Sequence, residues 1–300
     1  MSNVVATAEP LRIKDIIDKS TQFFKQKQIP SPRLDAELLI AACLNLRRID
    51  LYLKFDQPLA EVELEKCRDA IRRRAAGEPV AYILGRREFY GLSFQVNSSV
   101  LVPRPETEHL VEEALAWVSR ENQPTSFAWR ILDLGTGSGC LGLSLLRHLP
   151  GATATLVDVS PEALAIAQKN AMELGLAGRC RFLCQDAGLK VEDSPFDIIV
   201  MNPPYIASND SRLEAAVKQF EPGLALFAEQ DGLGKIFSWT RAQVGCLKTP
   251  GFLGCEFGEG QDIQVHSFFT QLQRFANVRS VKDLAGIQRH MIGEINHGKD

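Results

Sequence analysis

Residues 196–206 read F-D-I-I-V-M-N-P-P-Y-I, an apolar run that ends abruptly in Asn-Pro-Pro-Tyr. The run is rich in β-branched residues and is bounded by prolines, a pattern typical of a buried strand in a parallel sheet. Pro203 and Pro204 cannot donate hydrogen bonds to a neighbouring strand, so the strand must end there. The four residues therefore form a stiff polar tip at the carboxyl end of a strand, where open α/β sheets bind their ligands.

Three groups at this tip can hold a planar group that carries an NH2. Asn202 offers a carbonyl acceptor and an amide donor, Pro203 keeps its own carbonyl free on a backbone of fixed φ, and Tyr205 supplies a flat face. Two fixed acceptors beside a ring suit a carboxamide or an exocyclic amine. The alternative is a strand end with a Pro-Pro turn and no further role, because a four-residue motif is weak evidence by itself.

The composition is that of an ordinary soluble globular protein. The chain has 300 residues, of which 45% are hydrophobic and 24% charged, with a formal net charge of -3. It therefore lacks the basic excess that is typical of proteins that follow nucleic acid. Its seven cysteines form no C-x-x-C pair and its five histidines form no metal-binding pattern, so we expect no metal site and a reducing compartment. No apolar run approaches the ~20 residues of a membrane span, and we expect a cytoplasmic protein without membrane association.

The spacing of the apolar residues divides the chain into three parts. Residues 1–85 carry helical spacing, as in I-x-x-I-I near the N-terminus, and predict a small helical domain for substrate recognition. Residues 86–105 alternate apolar and polar side chains and predict a β-hairpin linker. Residues 106–300 form a second, larger domain.

Two features of the helical domain concern its packing and its surface. The helix predicted at 33–44 places Leu34, Leu38 and Ala41 on one face. Three consecutive arginines at 72–74 lie near a helix end. They are either solvated groups that complement the helix dipole or a docking surface for an acidic or RNA-associated partner.

Strands alternate with helices in the second domain, which predicts an α/β fold with a doubly wound, mostly parallel sheet of seven strands, a Rossmann-like architecture. We expect strands at residues 130–135, 153–159, 181–186, 197–202, 252–257, 278–282 and 290–295. We expect helices at residues 106–120, 140–148, 161–174, 233–247 and 261–275.

Three strand ends of this domain carry groups suited to a nucleotide-like ligand. The first strand runs into G-T-G-S-G at 135–139, a turn whose backbone can approach a ligand closely at a helix start. Asp158 ends the next strand about 20 residues later, where an acid can accept hydrogen bonds from ribose hydroxyls. Asp186 ends the third strand, where its carboxylate can meet an adenine amine.

The glycine turn, the two acids and the N-P-P-Y tip resemble, in order and spacing, a class I S-adenosylmethionine-dependent methyltransferase that acts on glutamine, adenine or cytosine nitrogen. Longer motifs resemble the release factor glutamine N5-methyltransferases (the HemK/PrmC family). These motifs are E-P-V-A-Y-I-L-G at 78–85, R-E-F-Y-G at 87–91, L-V-P-R-P-E-T-E at 101–108, E-P-x-L-A-L-F at 221–227, G-E-G-Q at 258–261 and K-D-L-A-G at 282–286.

The resemblance implies S-adenosyl-L-methionine as cofactor and peptide chain release factors as protein substrate, methylated on the glutamine of their G-G-Q loop. The implied cofactor-binding residues are Gly135, Thr136, Gly137, Ser138, Gly139, Asp158, Asp186, Ala187 and Asn202. The implied substrate-binding residues are Asn202, Pro203, Pro204 and Tyr205, of which Asn202, Pro203 and Tyr205 are catalytic. Relatives often carry a bulky side chain where this chain has Ala187, so we expect only backbone contact with adenine there.

Two other functions stay open from the sequence. An adenine-N6 methyltransferase on DNA or RNA uses the same tip, but the net negative charge and the absence of an obvious target-recognition domain argue against it. We therefore expect no stable nucleic acid binding. A cofactor-binding scaffold without activity would give Asn202 and Tyr205 no role. We expect a monomer.

Overall fold

The computed structural model describes residues 10–124, 126–193, 195–210 and 215–296. Backbone contacts divide the chain into two units, Met1–Gly85 and Arg86–Asp300. The hairpin that the sequence suggests as a linker lies inside the second unit. Within the described ranges, no helix is both long enough and apolar enough to cross a membrane.

The described part of the first unit is helical, as the apolar spacing predicts. Its helices are α1 (Ile13–Gln26), α2 (Pro32–Cys43), α3 (Arg48–Leu53), α4 (Glu61–Ala75) and α5 (Val80–Leu84). Their apolar faces meet in one cluster, in which Ile17, Phe24 and Leu39 are almost completely buried. Burial of such side chains provides most of the stability of short helices like these.

The buried face of α2 differs from the predicted one. Leu34 is exposed and Leu38 is only partly buried, whereas Ala36, Leu39 and Ile40 are fully buried. The prediction was wrong for two of its three residues because apolar side chains lie around most of this helix. Spacing alone therefore does not choose the face that packs against α1 and α4.

The three consecutive arginines at the end of α4 are paired with acids of the same unit. Arg74 Nε lies 2.8 Å from Asp35 Oδ2, and Arg73 Nη2 lies 2.5 Å from Glu78 Oε1. The remaining guanidinium, of Arg72, lies 3.7 Å from an Asp69 oxygen one turn earlier. These pairs neutralise much of the local positive charge, which favours the interpretation of a helix end over a docking surface.

The second unit contains a hairpin, a short ribbon and a large sheet. The hairpin strands are β1 (Arg86–Phe89) and β2 (Leu92–Gln95). The large sheet contains β3 (Arg130–Leu134), β4 (Thr153–Asp158), β5 (Cys180–Cys184) and β6 (Phe196–Met201). A parallel ribbon of β7 (Ile206–Ala207) and β8 (Phe227–Ala228) follows, and β9 (Leu247–Glu256), β10 (Asn277–Lys282) and β11 (Gln288–Ile295) complete the large sheet.

The strand order in the large sheet is β10-β11-β9-β6-β3-β4-β5. The pairs from β9 to β5 are parallel, and β11 is antiparallel to both of its neighbours. The helices of this unit are α6 (Glu108–Arg120), α7 (Cys140–His148), α8 (Pro161–Glu173), α9 (Ala215–Phe220), α10 (Gly223–Leu226), α11 (Gly234–Gln243) and α12 (Asp262–Gln271). The prediction of a doubly wound, mostly parallel sheet of seven strands is confirmed.

Strand β6 is buried on both faces, which explains its continuous apolar run. Ile198 and Val200 pack into one core cluster with β3 and α7, whereas Ile199 and Met201 pack into the other with β9 and α12. The sheet therefore lies between two cores, as parallel sheets do. This sandwiching holds the carboxyl end of β6, and with it Asn202, on a rigid support.

Strand β9 begins five residues before its predicted start, at Leu247. The prediction of 252–257 left out the five residues 247–251, which include Pro250, a residue that cannot donate to a neighbouring strand. In the structure Pro250 lies within a register shift between the pairs Phe196–Leu247 and Ile198–Phe252. A proline is tolerated at such an irregularity because no ladder hydrogen bond is required of it.

Candidate active site

A cavity of about 450 Å³ opens at the carboxyl ends of β3, β4 and β6. Its wall includes the glycine turn at 135–138, Asp158, Asp186 and Asn202, which the sequence predicts as site residues. The cavity has the size of a small-molecule site and the position that open α/β sheets use for ligands. The structure thus brings residues 135–138, the two acids and Asn202 to one place. Gly139 does not line the cavity, and a Cβ built on it would meet Leu143 and Ala167.

The glycine turn depends on backbone conformations that favour glycine. Gly135, Gly137 and Gly139 have φ angles of 65°, 54° and 83°. A Cβ built on Gly137 would have only one heavy atom within 4 Å, the Gly135 carbonyl oxygen at 4.0 Å. The middle of the turn therefore borders open space at the cavity.

Asp133 holds the glycine turn through hydrogen bonds. Its Oδ2 accepts hydrogen bonds from Thr136 Oγ1 at 2.6 Å and from the Gly142 backbone N–H at 3.0 Å. This carboxyl group is almost completely buried, and burial raises its pKa to about 6. One buried side chain thus connects the turn to the first residues of α7.

Asp158, the last residue of β4, also binds the glycine turn. Its two oxygens accept hydrogen bonds from the backbone N–H groups of Gly137, at 2.9 Å, and Ser160, at 3.0 Å. Burial raises its pKa, although these backbone hydrogen bonds oppose the shift. Each carboxylate oxygen can accept more than one hydrogen bond, so Asp158 still has acceptor capacity for a diol.

Asp186 and Ala187 lie just after β5. Asp186 Oδ1 accepts from the Gly188 backbone N–H at 2.7 Å, and its other oxygen lies 3.9 Å from Lys235 Nζ. Ala187 is buried, and its carbonyl oxygen accepts a hydrogen bond from Gln243 Nε2 at 2.9 Å. The carbonyl group at this position is therefore already engaged within the protein.

Trp239 of α11 covers the space between the glycine turn and this loop. A Cβ built on Gly135 would lie 2.7 Å from Trp239 Cη2, and one built on Gly188 would lie 3.8 Å from Trp239 Cδ1. The indole therefore reaches from one loop to the other. Its Nε1 atom is buried and makes no hydrogen bond to any described residue.

The side chain of Asn202 is held by a chain of hydrogen bonds. Asn202 Nδ2 donates to Thr107 Oγ1 at 3.2 Å, and Thr107 Oγ1 donates to Glu256 Oε2 at 2.6 Å. The Tyr205 hydroxyl donates to the other oxygen of Glu256 at 3.0 Å. Burial and the neighbouring Glu256 carboxylate raise the pKa of Tyr205 well above its ordinary value, so its hydroxyl stays protonated.

The four residues of the N-P-P-Y tip do not all face the same cavity. Among the residues that the structure describes, Asn202 and Pro204 line the cavity, whereas Pro203 is buried and does not. Tyr205 borders a second cavity together with Gln261 and Arg289. Asn202 and Pro204 are therefore the residues of the tip that face the cavity.

The motifs of the resemblance meet around this site. Arg104 Nη2 lies 2.5 Å from Glu221 Oε1, and the second oxygen of Glu221 accepts from the Val102 backbone N–H. Gln261 donates to the Tyr205 carbonyl oxygen at 3.0 Å. Residues from motifs that are far apart in sequence thus contact one another beside the cavity and at the backbone of the N-P-P-Y tip.

Sequence reasoning missed three residues as contributors to the site. In the sequence, Thr107 stands out only as part of the motif at 101–108. It lies just before α6. Glu256 ends strand β9, so the strand-end rule that selects Asp158 could have selected it too. Trp239 carries no local signal, because only the packing of α11 brings it to the cavity.

The hydrogen-bonding groups at the cavity suit an adenosine-containing sulfonium cofactor. Asp158 offers acceptors at a strand end, and the buried Ser138 Oγ and Trp239 Nε1 have no hydrogen-bond partner among the described residues. The cavity is large enough for S-adenosyl-L-methionine. No group of three or more histidine, cysteine or acidic side chains suited to a metal occurs within the described ranges.

The sheet order with its antiparallel β11, the glycine turn and the acids at 158 and 186 define a class I S-adenosylmethionine-dependent methyltransferase. Residues 118–232 match the family model described as Methyltransferase small domain, and residues 15–85 match the PrmC N-terminal domain. Among solved structures, the human Mettl16 catalytic domain in complex with the MAT2A 3′UTR hairpin 6 has a TM-score of 0.55 at 16% identity, over 73% of this chain and 81% of that chain. The N-terminal domain of human METTL16 in complex with SAH has a TM-score of 0.50 at 17% identity, over 74% and 83%. These likenesses concern the fold alone.

The chain belongs to the release factor glutamine methyltransferase family. A release factor glutamine methyltransferase of Koribacter versatilis is 38% identical over 285 residues, which cover 94% of this chain and 98% of the relative. That of Chlorobaculum tepidum is 42% identical over 282 residues, covering 92% and 95%. That of Leptospira interrogans is 44% identical over 223 residues, covering 73% and 77%.

Proposed function

We propose that the chain transfers a methyl group from S-adenosyl-L-methionine to the side-chain amide nitrogen (N5) of the glutamine in the G-G-Q motif of peptide chain release factors. The observation that carries this proposal is the orientation of Asn202 at the cavity. Its NH2 is held by Thr107, which leaves its carbonyl oxygen to accept from a substrate amide. The membership of the family, whose named relatives act on release factor glutamine, supports the same substrate.

The glycine turn and the two strand-end acids hold the cofactor in this proposal. Residues 135–139 hold its methionine end, Asp158 its ribose, and Asp186 with Ala187 its adenine. Asn202 completes the cofactor pocket on the side of the substrate. When bound, S-adenosyl-L-methionine supplies an electrophilic methyl group on a sulfonium.

The N-P-P-Y tip overcomes the poor nucleophilicity of a carboxamide nitrogen. The lone pair of that nitrogen is delocalised into its carbonyl group, so the nitrogen must be positioned and its N–H bonds polarised. Asn202 Oδ1 accepts one N–H hydrogen at the cavity, and we assign the second to the carbonyl oxygen of Pro203, although Pro203 does not line the cavity in this structure. These contacts direct the nitrogen and stabilise positive charge that develops on it. The nitrogen can lose its proton after transfer, so the site needs no strong base.

Pro204 and Tyr205 shape the substrate side of the tip. Pro204 lines the cavity and offers an apolar surface to the substrate amide. We assign substrate contact to the ring of Tyr205, which borders the second cavity with Gln261 and Arg289 and not the cavity that Asn202 lines. Its hydroxyl is fixed on Glu256.

The setting of the enzyme follows from the same proposal. Residues 1–85 serve as the recognition module for the release factor, and residues 106–300 carry the chemistry. The protein acts in the cytoplasm as a monomer and binds no nucleic acid stably. The pairing of the arginines at 72–74 with acids supports this last point, because it partly neutralises the densest positive charge of the helical unit.

The test is methyl transfer from labelled S-adenosyl-L-methionine to purified release factor, to the same factor with its G-G-Q glutamine replaced, and to double-stranded DNA. We expect label on the factor and none on the glutamine variant or on DNA. Label on DNA alone would retain the fold and the cofactor site but assign the activity to base methylation. No label on any substrate would favour a scaffold.

A further inference from the structure

Glu256 is a buried carboxylate beside the site that the proposed chemistry does not itself use. It ends β9, the strand next to β6 in the sheet, and it is 2% exposed. Burying an acid is costly unless its oxygens are well satisfied by hydrogen bonds. Both of its oxygens accept from hydroxyl groups, Thr107 on one and Tyr205 on the other. The carboxylate therefore connects Thr107 and Tyr205, which are far apart in sequence, at the N-P-P-Y tip.

The hydrogen bonds around Thr107 can run in only one direction. Thr107 has a single hydroxyl hydrogen, and it donates that hydrogen to Glu256 Oε2. Thr107 Oγ1 is then left with lone pairs and can only accept from its other neighbour. The neighbouring group must be a donor, which selects the NH2 end of the Asn202 amide.

This direction decides which end of the Asn202 amide faces the cavity. With Nδ2 on Thr107, the carbonyl oxygen Oδ1 faces the substrate and can accept an N–H. If the amide were turned over, its NH2 would face the NH2 of the substrate, and two donors cannot bond. The two ends of an asparagine amide are similar in size, so sterics alone would not fix this choice.

We propose that Glu256 is a positioning residue that acts through Thr107 to hold the Asn202 amide with its carbonyl oxygen toward the substrate. This inference rests on the proposed methylation of an amide nitrogen. The second hydrogen bond to Glu256 comes from the Tyr205 hydroxyl. It fixes the plane of the carboxylate and connects the carboxylate to the last residue of the N-P-P-Y tip. His290 Nε2, 3.6 Å from Glu256 Oε2, lies beyond hydrogen-bond distance and leaves that oxygen to Thr107.

The first test distinguishes the effect of the Thr107 hydroxyl on turnover from the effect of the shape of its side chain. Thr107→Val is nearly isosteric and removes the hydroxyl, whereas Thr107→Ser keeps it. We expect the valine variant to lower kcat about tenfold to a hundredfold, as expected for the loss of a hydrogen bond that orients a reacting group, with little change in KM for the release factor. We expect the serine variant to restore most of the turnover.

The second test asks whether Glu256 acts through Thr107. Glu256→Met removes the acceptors with little change in volume, so the Thr107 hydroxyl becomes free to donate to Asn202 Oδ1. We expect a loss of kcat similar to that of Thr107→Val, and we expect the double variant to lose no more than the more impaired single variant. Additive losses, or full activity of Glu256→Met, would show that the carboxylate does not work through this hydroxyl.

A matched control distinguishes orientation from general damage to the core. Thr240 is also a buried threonine of the second unit, and its hydroxyl has no hydrogen-bond partner among the described residues. We expect Thr240→Val to leave kcat and KM at their wild-type values. A rise in KM together with a fall in kcat in the Thr107 variants, with reduced unfolding temperatures, would instead indicate a structural role.

A further measurement does not depend on activity, so the two proposals can fail separately. In wild-type protein the side-chain NH2 of Asn202, assigned by its loss in Asn202→Asp, should exchange slowly with solvent in NMR spectra. We expect this protection to disappear in Thr107→Val and Glu256→Met. Protection that persists in both variants would overturn the positioning role, whereas unmodified release factor with wild-type enzyme would overturn only the proposed substrate.

Discussion

The indole of Trp239 lies so close to Gly135 that a Cβ at Gly135 would approach Trp239 Cη2 to 2.7 Å. The glycine at this position is thus required by a side chain of α11 as well as by its positive φ. A Cβ built on Gly188 would lie 3.8 Å from Trp239 Cδ1, at the other edge of the same ring. The ring therefore closes the cavity beside Ala187, where a methyl group alone would give little apolar cover.

Removal of this ring should weaken cofactor binding. We expect Trp239→Ala to reduce the affinity for S-adenosylhomocysteine about tenfold or more, because a large aromatic wall is lost, and Trp239→Phe to retain most of it. Calorimetric titration measures both. Unchanged affinity in the alanine variant would show that the ring is a core residue and not part of the ligand wall.

Tryptophan fluorescence provides an independent test of whether Trp239 lies in the wall of the ligand cavity. Trp117 and Trp129 pack in the core cluster on the other face of the sheet, whereas Trp239 lies at the cavity. We expect S-adenosylhomocysteine to change the emission of wild-type protein and to leave that of Trp239→Phe nearly unchanged. A full ligand response in the phenylalanine variant would place the responding tryptophan elsewhere.

Gly135→Ala should be costly. Its φ of 65° is unfavourable for other residues, and the added methyl group would collide with Trp239. We expect a loss of about 1–3 kcal/mol in the free energy of unfolding, measured by urea denaturation, together with weaker cofactor binding. Gly178→Ala is the matched control, because a Cβ there would meet no heavy atom within 4 Å. Equal stability of the two variants would contradict the steric argument.

The buried Asp133 should make stability depend on pH. Its pKa in the folded protein is about 6, against an ordinary value of 3.8, so the folded chain holds the proton more tightly. The free energy of unfolding should therefore fall as the pH rises from about 4 to about 6, by roughly 3 kcal/mol from this group, and then stay level. The difference between wild type and Asp133→Asn, measured by denaturation at each pH, isolates this effect. Parallel curves would contradict it.

Asn202→Ala should separate chemistry from cofactor binding. Without Oδ1 the substrate amide loses one of its two acceptors, and we expect kcat to fall about 100-fold to 1,000-fold. The affinity for S-adenosylhomocysteine should fall much less, because the glycine turn and the strand-end acids stay intact. Single-turnover kinetics and calorimetry measure the two quantities. Near-normal turnover would contradict the role of Asn202.

Much of the fold and part of the site could be predicted because their signals are local. The apolar run of β6 and its proline stop, and the acids Asp158 and Asp186 after two further strands, are visible in short windows of sequence. Parallel strands then bring their carboxyl ends to one edge, which is why separate motifs form one cavity.

The remaining parts depend on packing that no short window contains. Thr107 precedes α6 and Glu256 ends β9, and they are separated by 149 positions although their oxygens lie 2.6 Å apart. The buried face of α2 was mispredicted for a similar reason, since its neighbours choose among several apolar faces. The arrangement of such residues follows from the tertiary fold and not from spacing.

The central claim, methylation of a glutamine amide nitrogen, is tested most directly by locating the transferred methyl group. Release factor labelled by the enzyme from methyl-labelled S-adenosyl-L-methionine is digested, and the labelled peptide is hydrolysed in acid, which cleaves an N-methyl amide to methylamine. We predict that the label lies in the G-G-Q peptide and is released as methylamine. Label that stays on an amino acid after hydrolysis, or that lies in another peptide, would contradict the account.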